Sequence, residues 1–536
     1  MVTMPLTRRR VLQQAALATT AIAMPVVRGV HAAEAVVPQG KMTLAWHTNI
    51  AARWLDPQQH DGTATPDNFI NALHDGLIKN SGTQKFDRLA LAENYQFAED
   101  GKSCTFALRS GLKFHDGSPV TPQDVKWSYE HYRGAWKDVL QKKTQGVEIV
   151  GDKTVAFHFN DPFLDFPILM GTSNVCGAGW VLPAKYYEKT GSDGFMQKPI
   201  GAGPYKLVVQ QPGIQLDFEA FDGYYRPVHV KEFTMKSVPE AATRVAMLER
   251  GEADIMYFVP GELIARVKNT PRLTLAPVVS GNWWLEFPGF TDPKSPFHDK
   301  RVREAISLAI DRDGINQAEC DGMGVVDGNW INDDVEYGIG WPKWPHDIAK
   351  AKQLMAEAGH PNGFPVDWVT PVPNYYSRGE RIVSQLQAIG IRAKNQVMER
   401  GVFLKKIEGG LSQWPGTQII MNATRIGGTW SNWYDGMFKC GGFQSKDFFC
   451  VRELDDKFGK YLSSYDPKER KQLAEEIQRA ILENYYFVPV FRHAFVNAYG
   501  PRIKAAKWQD VFPTNLTSGY AYPWEDIQLK ETAAQK

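Results

Sequence analysis

Apolar positions along the chain follow two different periods, and the two alternate. Met42-Thr43-Leu44-Ala45-Trp46 and Cys104-Thr105-Phe106-Ala107-Leu108 read as strands. Pro66 to Ile78 places Phe69, Leu73 and Leu77 on one helical face. Asp116-Gly117 is a tight-turn signal. Thr121-Pro122-Gln123-Asp124 then opens a helix, with Thr as N-cap, Pro at the first helical position and an acid near the positive end of the dipole. Asp299 caps a stripe of Val302, Ala305, Ile306, Ala309 and Ile310. Asp347 caps another helix, with Ala351, Leu354 and Ala358 inward and Gly359 as its stop. Ile391 to Val397 alternates like a strand, and Asp466-Pro467 opens a helix that turns Leu473, Ile477 and Ile481 inward. Interleaved strands and helices without an internal repeat predict a mixed α/β architecture.

Length and charge narrow the classes. A chain of 536 residues suggests roughly three folding units. With 61 Lys+Arg against 60 Asp+Glu and 43% hydrophobic residues, the chain is neither globally disordered nor a general nucleic-acid binder. No internal run reaches the roughly 18–20 apolar residues of a membrane span, which excludes a membrane-embedded transporter. Sixteen Trp suggest that aromatic surface is used for more than core filling.

The first 35 residues read as an export signal rather than as part of the fold. Thr7-Arg8-Arg9-Arg10-Val11-Leu12 leads into an Ala-rich stretch ending near Val27, diluted by Gln13, Gln14, Thr19 and Thr20. Consecutive arginines before a modestly apolar stretch resemble the twin-arginine class. Cleavage after Ala32 or Ala35 fits the small residues there, and no Cys follows to carry a lipid. Five cysteines leave at least one unpaired. Cys440 and Cys450 flank a short loop holding Gly441 and Gly442, which can bring the sulfurs together, and an oxidising compartment permits the disulfide. There is no Cys-x-x-Cys, no two-His helix pair and no Asp-rich calcium loop, so neither a redox centre nor a metal site is expected.

Five ordered blocks carry a resemblance. The first runs Leu91-Ala92-Glu93 to Asp100-Gly101-Lys102, then Phe106-Ala107-Leu108-Arg109-Ser110-Gly111-Leu112-Lys113-Phe114-His115-Asp116-Gly117-Ser118-Pro119-Val120-Thr121-Pro122-Gln123-Asp124-Val125. Pro199-Ile200-Gly201-Ala202-Gly203-Pro204-Tyr205-Lys206-Leu207 is the second. Phe297-His298-Asp299-Lys300-Arg301-Val302-Arg303-Glu304-Ala305-Ile306 with Ala309-Ile310-Asp311-Arg312 is the third. Ala349 to Gly359 and Leu386-Gln387-Ala388-Ile389-Gly390-Ile391 complete the set. The chain resembles the family 5 extracellular solute-binding proteins of ABC importers, the dipeptide, oligopeptide and nickel-binding type, over roughly residues 40 to 530.

The resemblance implies a periplasmic binding protein-like α/β fold: two hinged lobes around a cleft plus an extra family-specific α/β lobe. Lobe I would comprise 36–80, 200–280 and 497–536, the extra lobe 81–199 and lobe II 281–496. It implies a monomeric periplasmic receptor that traps a small-molecule ligand by lobe closure and delivers it to an inner-membrane ABC permease; the consecutive arginines add the twin-arginine export machinery as a partner, and no cofactor, nucleic acid or catalysis is expected. Cleft-facing loops in such a fold nominate Trp46, His47 and Asn49; Trp283 and Trp284; Tyr375 and Arg378; Arg425, Ile426, Thr429, Trp430 and Trp433; and His493. Rings would stack on a ligand, and Gly427-Gly428 would let backbone come close. Peptide-binding members carry an Asp that pairs the ligand ammonium, where this chain has Ile426, and no acid occurs between Asn422 and Tyr434. A buried ammonium without a carboxylate is costly. Arg378 and Arg425 instead favour a carboxylate, which guanidinium can grip bidentately. Peptide or peptide-like solutes are the first reading; an opine, a metal chelate or an oligosaccharide is the alternative. A secreted hydrolase would need a nucleophile elbow or a metalloprotease helix, and the sequence has neither. A sensor subunit docking on a membrane receptor has the same sequence requirements as the first reading. His115-Asp116 reads as a turn pair, and Gly201-Ala202-Gly203-Pro204 as a lobe-crossing turn rather than a phosphate loop.

Overall fold

The computed structural model describes residues 36–536 apart from 51, 60–66, 80–87, 135–136, 172–177, 330, 332–334, 374, 426–429, 443–447, 513–520 and 531–536. The proposed export signal therefore lies outside the described residues. In chain order the strands are β1 (Gln39–Trp46), β2 (Ile78–Lys79), β3 (Arg88–Leu89), β4 (Ala92–Phe97), β5 (Ser103–Leu108), β6 (Thr144–Gly151) and β7 (Thr154–Phe159). They continue as β8 (Tyr205–Gln211), β9 (Gln215–Ala220), β10 (Val230–Ser237), β11 (Ile255–Met256), β12 (Thr274–Glu286), β13 (Trp368–Pro371), β14 (Gln418–Arg425) and β15 (Val488–Tyr499). Nine of them form one mixed sheet in the order β13-β14-β12-β15-β11-β1-β10-β9-β8. A separate antiparallel sheet has the order β4-β5-β7-β6, and β2 pairs with β3. This is the mixed α/β architecture that the periodicities predict.

Three large hydrophobic cores sit on these sheets. One lies on the β1, β8–β10 side, with Met42, Leu44, Phe218, Phe233 and Met235 packed against Phe69, Leu73 and Trp524. A second belongs to the four-stranded sheet, around Phe106, Phe157, Phe159, Phe163 and Phe166. The largest covers the β12–β15 side and the helices from Lys300–Ala309 to Pro467–Glu483, and also takes in Val245, Val259 and Ile264. β12 and β15 are the long strands of the main sheet and serve two cores: Ala276 and Val278 belong to the first, Trp283 to Leu285 to the largest. Their pairing shifts register between Val279 and Gly281, so the ladder is interrupted where β12 passes from one core to the other.

Capping follows the sequence closely. Thr121 and Asp124 form a reciprocal capping box on the Pro122–Glu130 helix. Asp299, Asp347 and Asp466 each accept a backbone N–H at the start of their helices. Two expected elements differ. The helix expected to reach Ile78 spans Asp67–Leu73 only. Gly203 N donates to the Leu73 carbonyl at 2.9 Å, and a Cβ on Gly203 would lie 2.5 Å from the Leu73 carbonyl carbon. The close-packed Gly201–Pro204 turn thus stops the helix, and Ile78 leaves as a strand. Ile391–Val397 is not a continuous strand. It touches its neighbour at two isolated bridges, Pro365 with Arg392 and Val369 with Asn395. Four steps on one side face three on the other, so no regular ladder can form.

Distant segments are tied by buried polar groups. Lys79 Nζ lies 3.0 Å from Asp75 Oδ1 and 2.7 Å from Glu525 Oε1, and donates to Tyr224 OH at 2.6 Å. Cys440 and Cys450 are joined by a disulfide, while Cys104 and Cys320 are buried free thiols. Among the described residues no helix is long and apolar enough to cross a membrane, and no three metal-ligating side chains cluster.

Candidate functional site

Side chains on one face of β12 and β15 alternate so that Trp283, Phe491, His493 and Phe495 share it. The helix Tyr376–Gln387 lays Arg378 across that face. The guanidinium carbon sits 4.0 Å from the centre of the Trp283 ring, 4.5 Å from Tyr375 and 5.7 Å from Phe491. Arg378 is 1% exposed, and its Nε donates to Glu319 Oε2 at 2.9 Å. Glu319 also accepts from Arg381 Nε at 3.1 Å and from Ser377 Oγ at 3.0 Å. Burial would raise the Glu319 carboxyl, but Arg378 and these donors outweigh it and hold it below the usual carboxylate range. Arg378 Nη2 lies 3.3 Å from Nδ1 and 3.2 Å from Nε2 of His493. Burial, and then repulsion from Arg378, push His493 well below its ordinary pKa, so the imidazole is neutral and can accept at one nitrogen.

Two guanidinium groups therefore share one carboxylate, and the cluster keeps a net positive charge. Arg378 Nη1 is buried without a hydrogen-bond partner among the described residues, as are Trp283 Nε1 and Ser280 Oγ. Such donors are rarely left unpaired in a finished interior. Rings continue from this point across the sheet. Phe495 meets Phe258 and Tyr257, and Tyr257 stacks on Trp46 at 4.8 Å beside His47. Phe258 has a φ of 60°, which is strained for a bulky residue. Arg244 Nη2 donates to its carbonyl at 2.9 Å, and its N–H donates to Asn497 Oδ1.

The chain as a whole matches a known group of proteins. The family model for "Bacterial extracellular solute-binding proteins, family 5 Middle" matches residues 88–436. The chain belongs to the family 5 extracellular solute-binding proteins. Among family 5 relatives, the dipeptide-binding protein of Escherichia coli K12 is 27% identical over 480 residues, covering 81% of this chain and 86% of the relative. The glutathione-binding protein GsiB of Salmonella typhi is 26% identical over 475 residues, covering 84% and 88%. Solved structures share the fold. A dipeptide-binding protein from Pseudoalteromonas sp. SM9913 in complex with Met-Leu has a TM-score of 0.77 at 21% identity, covering 92% of this chain and all of that one. The binding protein AgaA from Agrobacterium tumefaciens R10 in complex with agropinic acid has a TM-score of 0.75 at 23% identity, covering 92% and 98%.

Within this family 5 chain the nominated residues separate into groups. Trp283, Tyr375, Arg378 and His493 meet in the cluster described above. Trp46 and His47 join it through Tyr257 and Phe495. Asn49 is exposed, and its Oδ1 accepts from Ser237 Oγ at 3.2 Å. Trp284 points to the opposite face of β12, where its Nε1 donates to Glu286 Oε1 at 2.7 Å and its ring packs on Trp433. Trp430 is buried against Tyr434, Phe458 and Tyr461. Trp284, Trp430 and Trp433 are buried in the largest core, with ring partners other than those of Arg378. Ile426, Thr429 and the side chain of Arg425 lie outside the described residues. Glu319, Tyr257, Phe258 and Phe495 were not nominated. Glu319 sits one residue before Cys320 at the end of an ordinary capped helix, so no local pattern marks it.

Proposed function

We propose that this protein captures a small, carboxylate-bearing solute against the Arg378 cluster and delivers it to an inner-membrane ABC permease. The observation that carries the reading is the buried, partly unpaired guanidinium of Arg378. It lies over both the Trp283 and Tyr375 rings within a cluster whose charge is one positive in excess. A solute carboxylate would accept from Nη1 while the rings exclude water and strengthen the contact. Capture proceeds by closure of two lobes about the β12 and β15 crossovers, lobe I being 36–80, 200–280 and 497–536 and lobe II being 281–496, with 81–199 as the extra lobe. Arg8, Arg9 and Arg10 direct export by the twin-arginine route to the periplasm, where the protein acts as a monomer and returns its solute chemically unchanged.

Peptides are the leading class, since the relatives named above are called dipeptide- and glutathione-binding. A second reading is an opine-like acid. It is favoured by the absence of any acid between Asn422 and Tyr434 to pair an ammonium, and the agropinic acid complex is a structural neighbour. Thermal melting against Met-Leu, glutathione, agropinic acid and mannopinic acid tests both. One class should raise the melting temperature by the binding linkage. Converting the active compound's carboxylate to an amide should abolish the shift. A shift that survives amidation would overturn the role of Arg378, and solute recovered in altered form would overturn the receptor reading.

A further inference from the structure

A buried carboxylate links the four-stranded sheet to the largest core. Asp165 lies between Phe163 and Phe166, both anchored in the core of that sheet. Its two oxygens reach out of that core. Oδ2 accepts from Ser431 Oγ at 2.6 Å, and Oδ1 accepts from Arg470 Nη2 at 3.2 Å. Ser431 stands beside Trp430 and Trp433, and Arg470 precedes Ala474 and Ile477, all four in the largest core. Asp165 is 7% exposed, Arg470 6% and Ser431 3%. Arg470 is oriented by its own side: Nη1 donates to the Tyr461 carbonyl at 3.1 Å, Nη2 to Tyr461 OH at 2.8 Å, and the guanidinium lies over the Tyr461 ring. These contacts hold the guanidinium in place against the Asp165 carboxylate.

A second pair repeats the contact with the charges reversed. Lys143 lies over the Phe163 ring and stands 3.8 Å from Asp435 Oδ2. One side thus offers an anion and a cation, and the other offers their complements, which fixes a single register of approach. Tyr465 forms a third point, with its hydroxyl so close to Gly101 that a Cβ there would lie 2.7 Å away.

We propose that Asp165 is a positioning residue for capture: it lets the extra sheet dock on the Trp430–Trp433 turn and on Arg470 when the cleft shuts. The inference rests on the closure reading above. A buried ion pair contributes little net stability, because desolvation offsets attraction. Removing only the carboxylate charge is different. Arg470 would then be buried without its counter-charge in the docked form, yet hydrated in the undocked form. The penalty falls on one state alone and shifts the population.

The test uses the full exported chain with Cys176→Ser, labelled at Val150→Cys and Val402→Cys, two exposed positions on either side of the contact. Single-molecule energy transfer reports the distance without added solute and with millimolar Met-Leu or glutathione. The parent should exchange between a short and a long distance. Asp165→Asn should lower the short-to-long ratio roughly tenfold to a hundredfold, the scale of a charged hydrogen bond. Ser431→Ala, which strands no charge, should shift it severalfold in the same direction. A merely structural Asp165 would lower the melting temperature and leave the ratio alone. Exchange in the parent with unchanged ratios in both variants overturns the role of Asp165 and leaves closure standing. A single fixed distance in the parent under every condition overturns closure itself, and the inference with it.

Discussion

Replacing Glu319 by Gln keeps the side-chain volume and removes the charge that faces Arg378. The Arg378–Glu319 pair is buried on both sides, at 1% and 10% side-chain exposure. Stripping one partner from a buried pair costs about 3–5 kcal/mol. The lower end applies here, because the amide can still accept a hydrogen bond and His493 still contacts Nη2. Unfolding entropy near 60 °C is roughly 2.1 cal/mol/K per residue, hence about 1 kcal/mol/K for the body Val37–Lys536. Glu319→Gln should therefore lower the melting temperature by about 3 °C at neutral pH if that body unfolds cooperatively. Calorimetry is the assay. Glu319 is held below the usual carboxylate range, so its stabilisation is present above pH of about 4.5 and is lost as pH falls through its folded value. The gap between parent and variant should accordingly close in acid. Glu319→Leu with Arg378→Met, which removes both charges, should recover most of the loss. A neutral-pH melting temperature within about half a degree of the parent would refute the pairing as an energetic element.

Two further outcomes are expected. Gly203→Ala should destabilise by about 1–3 kcal/mol or more in urea titration, because its Cβ would meet backbone at 2.5 Å from the Leu73 carbonyl carbon and 2.6 Å from His74 N; an unchanged midpoint would show that the helix end can yield. Burial pushes His115 down to about 4, and burial also holds His74 well below its ordinary value. Stability should be full above pH of about 6.5 and fall on acidification toward 4, by about 1.4 kcal/mol per pH unit from His115 alone; a flat profile between pH 7 and 5 would refute buried neutral imidazoles, and His115→Phe should flatten part of the slope.

Local chemistry made much of the fold legible. Asp299, Asp347 and Asp466 cap helices because a short side-chain oxygen before an apolar stripe has few other uses. Errors arose where a partner far along the chain decided the outcome. Phe69, Leu73 and Leu77 have helical spacing, but Gly203 takes the Leu73 carbonyl from 130 residues away. Ile391–Val397 has strand periodicity, but the mismatch with Pro365–Val369 breaks its ladder. The paired Trp283 and Trp284 look equivalent as letters. Strand alternation sends one to the Arg378 face and the other to Glu286, and that sorting needs the sheet's two sides to be known.

Arg378 and Arg381 pose the same problem at the site. Both lie on one helix three residues apart, and both reach Glu319. Only the packing of Trp283, Tyr375 and Phe491 singles out the first, burying it while Arg381 stays 43% exposed. That asymmetry has a chemical consequence. In the proposed complex a solute carboxylate on Arg378 would place a second anion near Glu319, and the exposed Arg381 would remain to neutralise the first. A single buried arginine already satisfied by Glu319 would have repelled such a solute; two arginines sharing one acid can hold both anions without leaving a net negative charge in the interior.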